Sequence, residues 1–361
     1  MNTQPAFPRR RMAGFSLVEI MVAILVSLFL LTGVLQLYLG NQQTSRLGSG
    51  VGEIEQTGRF ALDELSGNLR MAAFQGCADA NRVAGNVIAR NAPTTTLATS
   101  AILGFSVTTG GSWTDGRIPI NWAGAVPLSG SDVLQIQGGS RSVSNLASAM
   151  GSASANIPLA SNPDNLTAGE MAIIADCTAA DLIRITSVTG GLTLVYSTAD
   201  NTQTSLSKAY TNTTGLNAAQ AMRFNSWVYF VRDSGRDAAD GSAIFSLYRL
   251  DTSRQNQAAQ ELVEGVERLR VLYGERSGTD AIRYRAAANV TDWSQVVAVR
   301  VALLAASRDP VLEAADTATY TLLDQSVAKA GTSGATLTYP NDRRLRRVFT
   351  ASANVRNRRD L

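Results

Sequence analysis

From Ile20 to Leu39 the only polar side chains are Ser27, Thr32 and Gln36. A helix needs about 20 apolar residues to cross a hydrocarbon core of roughly 30 Å, and Phe15–Leu39 is long enough to do so. Arg9, Arg10 and Arg11 precede the run, and only Arg46 follows closely. That bias places the N-terminus on the cytoplasmic side. A secretory signal also starts basic, but its apolar region is about 7–15 residues long and ends in small residues at the cut. Here the small residue, Gly14, comes before the apolar run. Cleavage after Gly14 would leave the membrane helix on the chain.

Glu19 breaks the apolar pattern. A carboxylate in such a helix costs a few kcal/mol even on permissive insertion scales, about 3 kcal/mol at the centre, and usually has a partner. The plain alternative is a single-span anchor whose Glu19 lies near the interface and is reached by water. Arg9–Arg11, the Gly14–Phe15 junction and Glu19, followed by the apolar helix, resemble the type III signal of type IV pilins and of the pseudopilins of type II secretion. The resemblance implies that a prepilin peptidase cuts after Gly14 and methylates the amine of Phe15. It also implies that this amine meets Glu19 of a neighbouring subunit, making Glu19 an assembly residue.

Beyond the membrane run, Ile54, Ala61, Leu65, Leu69 and Ala72 recur at helical spacing among charged residues. They predict one long helix from about Ser16 to Phe74, softened near Gly48, Gly50 and Gly52 because glycine is a poor helix former. The same three glycines imitate a dinucleotide fingerprint, but a membrane helix and not a strand precedes them. Major pilins usually carry a proline in the membrane half; this chain has none there.

The leader Met1–Gly14 holds three of the 32 basic residues and none of the 29 acidic ones, so the rest of the chain is balanced. There is no histidine, which removes the commonest general base and metal ligand. A hydrolase built on paired carboxylates is the enzymatic alternative, but no convincing pair stands out. The sequence therefore argues against an enzyme and implies no cofactor. Cys77 and Cys177 are the only cysteines. Outside the cytoplasm they read as a disulfide; two buried free thiols are the alternative.

Residues 76–361 read as a β-rich head, with a loop-rich insertion at about 81–165 in which Asp132–Gln137 is the clearest strand. Strand signals sharpen at Met171–Ala175, Leu182–Val188 and Leu192–Ser197. Trp227–Arg232 and Ala243–Arg249 read as a hairpin. Its turn carries Asp233, Asp237 and Asp240, whose carboxylates could attract calcium, although the spacing misses the EF-hand pattern. The segments Glu261–Tyr273, Gln295–Leu304 and Arg344–Asn357, with the contexts Gly76–Cys77 and Asp176–Cys177, look like the PilW-type minor pilins and are also similar to J-type pseudopilins.

The expectation is an α+β protein: a leader at 1–14, a membrane half-helix at 15–39, an amphipathic half-helix at 40–75, and an antiparallel β head. The resemblance implies a minor pilin that primes pilus assembly near the tip, upstream of motility, adhesion and DNA uptake. Its partners would be the peptidase, other minor pilins, the major pilin and the inner-membrane assembly platform. It would reside in the inner membrane and then on the pilus. A J-type pseudopilin of a secretion system is the nearest alternative. A third reading is a DNA-binding competence pilin using Arg343, Arg344, Arg346, Arg347, Arg356, Arg358 and Arg359; solvated arginines or arginines facing acidic subunits would be the plainer use.

Overall fold

The computed structural model describes residues 14, 16–107, 126–213, 215, 218–254, 257–278 and 281–358. One helix, α1 (Leu17–Leu69), runs without interruption through Gly48, Gly50 and Gly52, so the expected softening does not occur. The chain divides into two compact units, Met1–Ser49 and Gly50–Leu361, and α1 contributes to both.

In the first unit the described helix exposes its apolar side chains. Its hydroxyls are already satisfied: Ser27 donates to the Ala23 carbonyl at 2.7 Å and Thr32 to the Leu28 carbonyl at 2.8 Å. Such back-bonding to residue i−4 hides a polar group within its own helix. The sequence interruptions at Ser27 and Thr32 are thus compatible with lipid.

The second unit is a β head folded around the rest of α1. The strands of the larger sheet are β1 (Asn86–Val87), β2 (Ile102–Ser106), β3 (Asp132–Asn145), β5 (Met171–Ala175), β6 (Ala180–Arg184), β9 (Gln220–Asp237), β10 (Ala243–Asp251) and β11 (Gln260–Glu264), with a short α2 (Leu97–Ser100) between β1 and β2. They run in the order β1-β6-β5-β9-β10-β11, with β3 on the other edge of β9 and β2 outside β3. A second antiparallel sheet has the order β13-β12-β14-β18, formed by β12 (Val266–Ser277), β13 (Ala281–Arg285), β14 (Val296–Pro310) and β18 (Arg344–Asn354). Between β14 and β18 a small sheet is inserted, made of β15 (Tyr320–Leu322), β16 (Gln325–Lys329) and β17 (Leu337–Tyr339). Another small sheet joins β4 (Ile157–Pro158), β7 (Ser187–Thr189) and β8 (Thr193–Val195).

One expectation is filled in and one needs correcting. Within the turns and loops of 81–165, β2 and β3 lie in the large sheet, and Val133–Ile136 is buried core. Residues 108–125 of that span lie outside the described part. The segment Glu261–Tyr273, read as one piece, is two strands in two sheets. Gly265, at φ +84°, separates β11 from β12, and an added Cβ would lie 2.7 Å from the Ala306 carbonyl oxygen. Only glycine takes that conformation so close to another backbone at low cost.

One apolar core spans both sheets and the helix. Ala61, Leu65 and Leu69 of α1 pack with Leu134, Tyr229, Leu269, Val301 and Leu303. The helix comes close because it presents glycine where the sheet presents bulk: a Cβ on Gly58 would fall 2.4 Å from the Phe349 ring. Gly58→Ala should therefore lower stability by about 1–3 kcal/mol through overpacking, although alanine is the better helix former. Adding Phe349→Leu should restore most of the loss, with thermal unfolding as the readout.

Candidate assembly site and the charged core of the head

The predicted assembly residues cluster at the start of α1. Gly14 is exposed and Phe15 lies outside the described residues. The amide of Ile20 donates to the Ser16 carbonyl at 3.1 Å, so helical bonding begins there. Glu19 stands exposed in the first turn, where the helix dipole favours a negative charge. Ala23 and Ser27 follow it at four-residue steps, which gives the carboxylate small neighbours along its own face.

Cys77 and Cys177 form a disulfide, with Cα atoms 4.6 Å apart. It joins the segment following α1 to the turn between β5 and β6. Asp176 closes that turn by accepting hydrogen bonds from the Thr178 and Ala179 amides at 2.8 and 3.0 Å, and Lys208 Nζ lies 2.5 Å from its other oxygen. Burial opposes ionisation of Asp176, yet the bonds from Lys208, Thr178 and Ala179 outweigh it and hold the carboxyl below its ordinary range.

The described C-terminal arginines do not form one exposed patch. Arg344 and Arg346 are buried in an ionic cluster: Arg346 Nε meets Glu267 at 2.7 Å, Arg344 Nη2 meets the same carboxylate at 2.9 Å, and both guanidinium groups reach Asp342. Asp316 lies 3.5 Å from Arg346, whose guanidinium also sits over the Tyr339 ring. Arg358 is fully buried and bonds only main-chain carbonyls among the described residues. Arg347 is exposed and pairs with Glu55 of α1. Arg343 and Arg356 are exposed, and Arg359 lies outside the described residues. The alternation of a strand explains the split, since Arg344 and Arg346 share the face under the inserted sheet while Arg347 takes the other face.

The calcium reading finds no support in the geometry. Asp233 and Asp237 belong to β9, and Asp233 accepts the Gly235 amide at 2.8 Å. Asp240 accepts the Ser242 amide and hydroxyl. Among the described residues no group of His, Cys, Asp or Glu is arranged to hold a metal ion.

Other tie points were not foreseen. Asp132 of β3 accepts Arg270 of β12 at 2.9 Å and the Val271 amide at 2.9 Å, joining the two sheets. Burial raises its pKa despite that partner. Glu64 of α1 receives Arg249 at 2.9 Å and Asn68 at 2.9 Å, while Asn68 also reaches the Tyr229 hydroxyl at 2.7 Å. The large sheet is thereby bolted to the helix.

Two family matches bear on this arrangement. Residues 9–35 match the prokaryotic N-terminal methylation motif, and residues 228–357 match PilW, the type IV pilus-assembly protein W. Together they support a type IV pilus minor pilin of the PilW type. No curated protein and no solved structure matches it significantly. The methylation motif covers the junction, Glu19 and most of the apolar run, and with that helix it marks inner-membrane anchoring and incorporation into the pilus. It also implies processing by a prepilin peptidase. The PilW match runs from the middle of β9 to the last described turn and so encloses the second sheet, the inserted sheet and the ionic cluster of this pilin. Both matches point to a structural role.

The ionic cluster yields a contrast between two adjacent arginines. Arg346→Met would leave Glu267 and Asp342 short of a partner in the core and should cost about 3–5 kcal/mol. Arg347→Ala removes a surface pair and should cost at most about 1 kcal/mol. Asp342 adds a pH dependence: burial opposes its charge, but Arg346 and Arg344 lower its pKa overall. Its stabilisation is complete above the ordinary aspartate value of about 4 and is lost as pH falls through the lower folded-state value. Acid titration of unfolding should show this loss in the unmodified pilin and much less of it in Arg346→Met.

Proposed function

We propose that the peptidase cuts this minor pilin between Gly14 and Phe15 and methylates the new amine, and that Glu19 then recruits it into the filament. The observation that carries this reading is the exposed carboxylate of Glu19 in the first turn of an apolar helix. Out of water, a lone carboxylate is costly and a cationic amine neutralises it. The amine comes from the neighbouring subunit, because the next turns of the same helix carry no cation.

The pilin acts with other minor pilins at the inner-membrane assembly platform, primes polymerisation of the major pilin and stays at the tip. The head spanning Gly50–Leu361 supports the tip position, because bulk of that size packs poorly in a repeating shaft. A J-type pseudopilin shares the N-terminal motif, but the PilW match favours the pilus. DNA capture by the C-terminal arginines loses its basis once Arg344, Arg346 and Arg358 are core residues.

Intact mass of the pilin from its host's sheared surface filaments should correspond to a chain starting at singly methylated Phe15. A chain retaining Met1–Gly14 would overturn the processing site. Glu19→Val should be processed and inserted normally, yet be at least tenfold depleted from the filament fraction; equal incorporation would remove Glu19 from assembly.

A further inference from the structure

Arg358 poses a physical question. It is fully buried, no carboxylate is bonded to it among the described residues, and burial pulls its pKa down to about 10 against the pull of Asp292 and Asp79. Taking a guanidinium out of water is expensive when no acid bonds to it directly. Its four hydrogen bonds show what it achieves. One amino group reaches the carbonyls of Leu97 and Ala98 in α2, and the other reaches those of Trp293, just before β14, and Val296 at its start. Thr99 and Ser100 of the first segment and Trp293 of the second line one cleft of about 550 Å³. Arg358 therefore ties together two segments that line it.

The cleft has the character of a binding site. Its volume is in the range of small-molecule pockets, about 300–1,000 Å³. Its floor is apolar, made by Pro93, Leu103 and the Trp293 indole. Tyr273 holds that indole edge-on, with ring centroids 4.8 Å apart and planes at 73°. The rim is polar. Thr95 and Thr99 are exposed, and their hydroxyls make no hydrogen bond among the described residues. Asp292 uses one carboxylate oxygen to accept the Ser294 amide and hydroxyl, which leaves the other open. Among the described residues no lysine or arginine lines the cleft.

We propose that this cleft binds a neutral saccharide. A sugar ring offers an apolar C–H face to an indole floor and hydroxyls to a hydroxyl-and-carboxylate rim. The carboxylate at the rim, with no cation lining it among the described residues, disfavours an anionic sugar. Lining segments tied together reduce the ordering cost of binding, which gives the buried guanidinium a role that a hydrophobic residue could not fill. The site places saccharide recognition on the head of a surface filament, independently of how the N-terminus is processed.

The test uses the full-length pilin in a zwitterionic detergent, because alkyl glycosides would compete. Calorimetry and saturation-transfer NMR would be run with neutral oligosaccharides of glucose, galactose, N-acetylglucosamine and N-acetylgalactosamine, with oligoglucuronate and trilysine as controls. At least one neutral saccharide should bind, and the anionic one should not. Thr99→Arg projects from an exposed position into the mouth and should weaken binding at least tenfold without changing the melting curve. Thr95→Ala should weaken it several-fold. Arg358→Lys, which cannot reach all four carbonyls, should also weaken it. The proposal fails if no neutral saccharide binds at millimolar concentration, if Thr99→Arg binds as tightly as the parent, or if trilysine binds more tightly than every sugar.

Discussion

Close contact between α1 and the second sheet governs how the head is built. The helix offers Gly50, Gly58 and Ala61 along its buried face, and the sheet and its following turn offer Phe349 and Val311 against the glycines. A helix with larger residues there would stand farther off, because protein interiors are too closely packed to absorb an extra side chain. The core then could not run unbroken from Leu65 through Tyr229 to Leu303. Gly265 completes this geometry by letting one stretch of chain leave the first sheet and enter the second.

Charge does a second kind of work. Arg270, Arg346 and Arg358 all sit inside the head, and each joins parts distant in sequence: β3 to β12, β12 to the base of the inserted sheet, and α2 to the start of β14. Apolar contacts would stabilise these junctions as well or better, but they carry little direction. A planar guanidinium has fixed donor directions. The arginines thus specify how the sheets and segments are arranged about one another.

These features differed in how readily they could be read from the chain. The membrane helix, its orientation and the oddity of Glu19 are local signals, because length, charge bias and spacing are visible in one short stretch. Trp227–Arg232 and Ala243–Arg249 were also legible as a hairpin, since each alternates and a polar turn joins them; the structure extends both to β9 and β10. The arginine string from Arg343 to Arg359 was not legible. Its buried and exposed members look alike in sequence, and the deciding partners, Glu267 and the Leu97 carbonyl, lie far away along the chain. Gly48–Gly52 misled in the opposite sense, because helix propensity is small beside the packing that Gly50 permits. The rim of the cleft was invisible for a similar reason: Thr99 and Asp292 become neighbours only in the fold.

A filament subunit is also a mechanical element. Load arriving along Gly50–Leu69 passes from the end of α1 into β3 through the Ala73 amide on the Gln137 carbonyl and the Gly139 amide on the Phe74 carbonyl. Three residues later it meets the covalent link from Cys77 to Cys177. Tension between the helix and any handle beyond residue 177 crosses that link directly. The intervening loop, β2 and β3 included, is a bypassed branch that cannot be drawn out lengthwise. Under pulling, the extensible part of this head is the chain after Cys177, and its length sets how far the subunit can yield before the bond itself is tested.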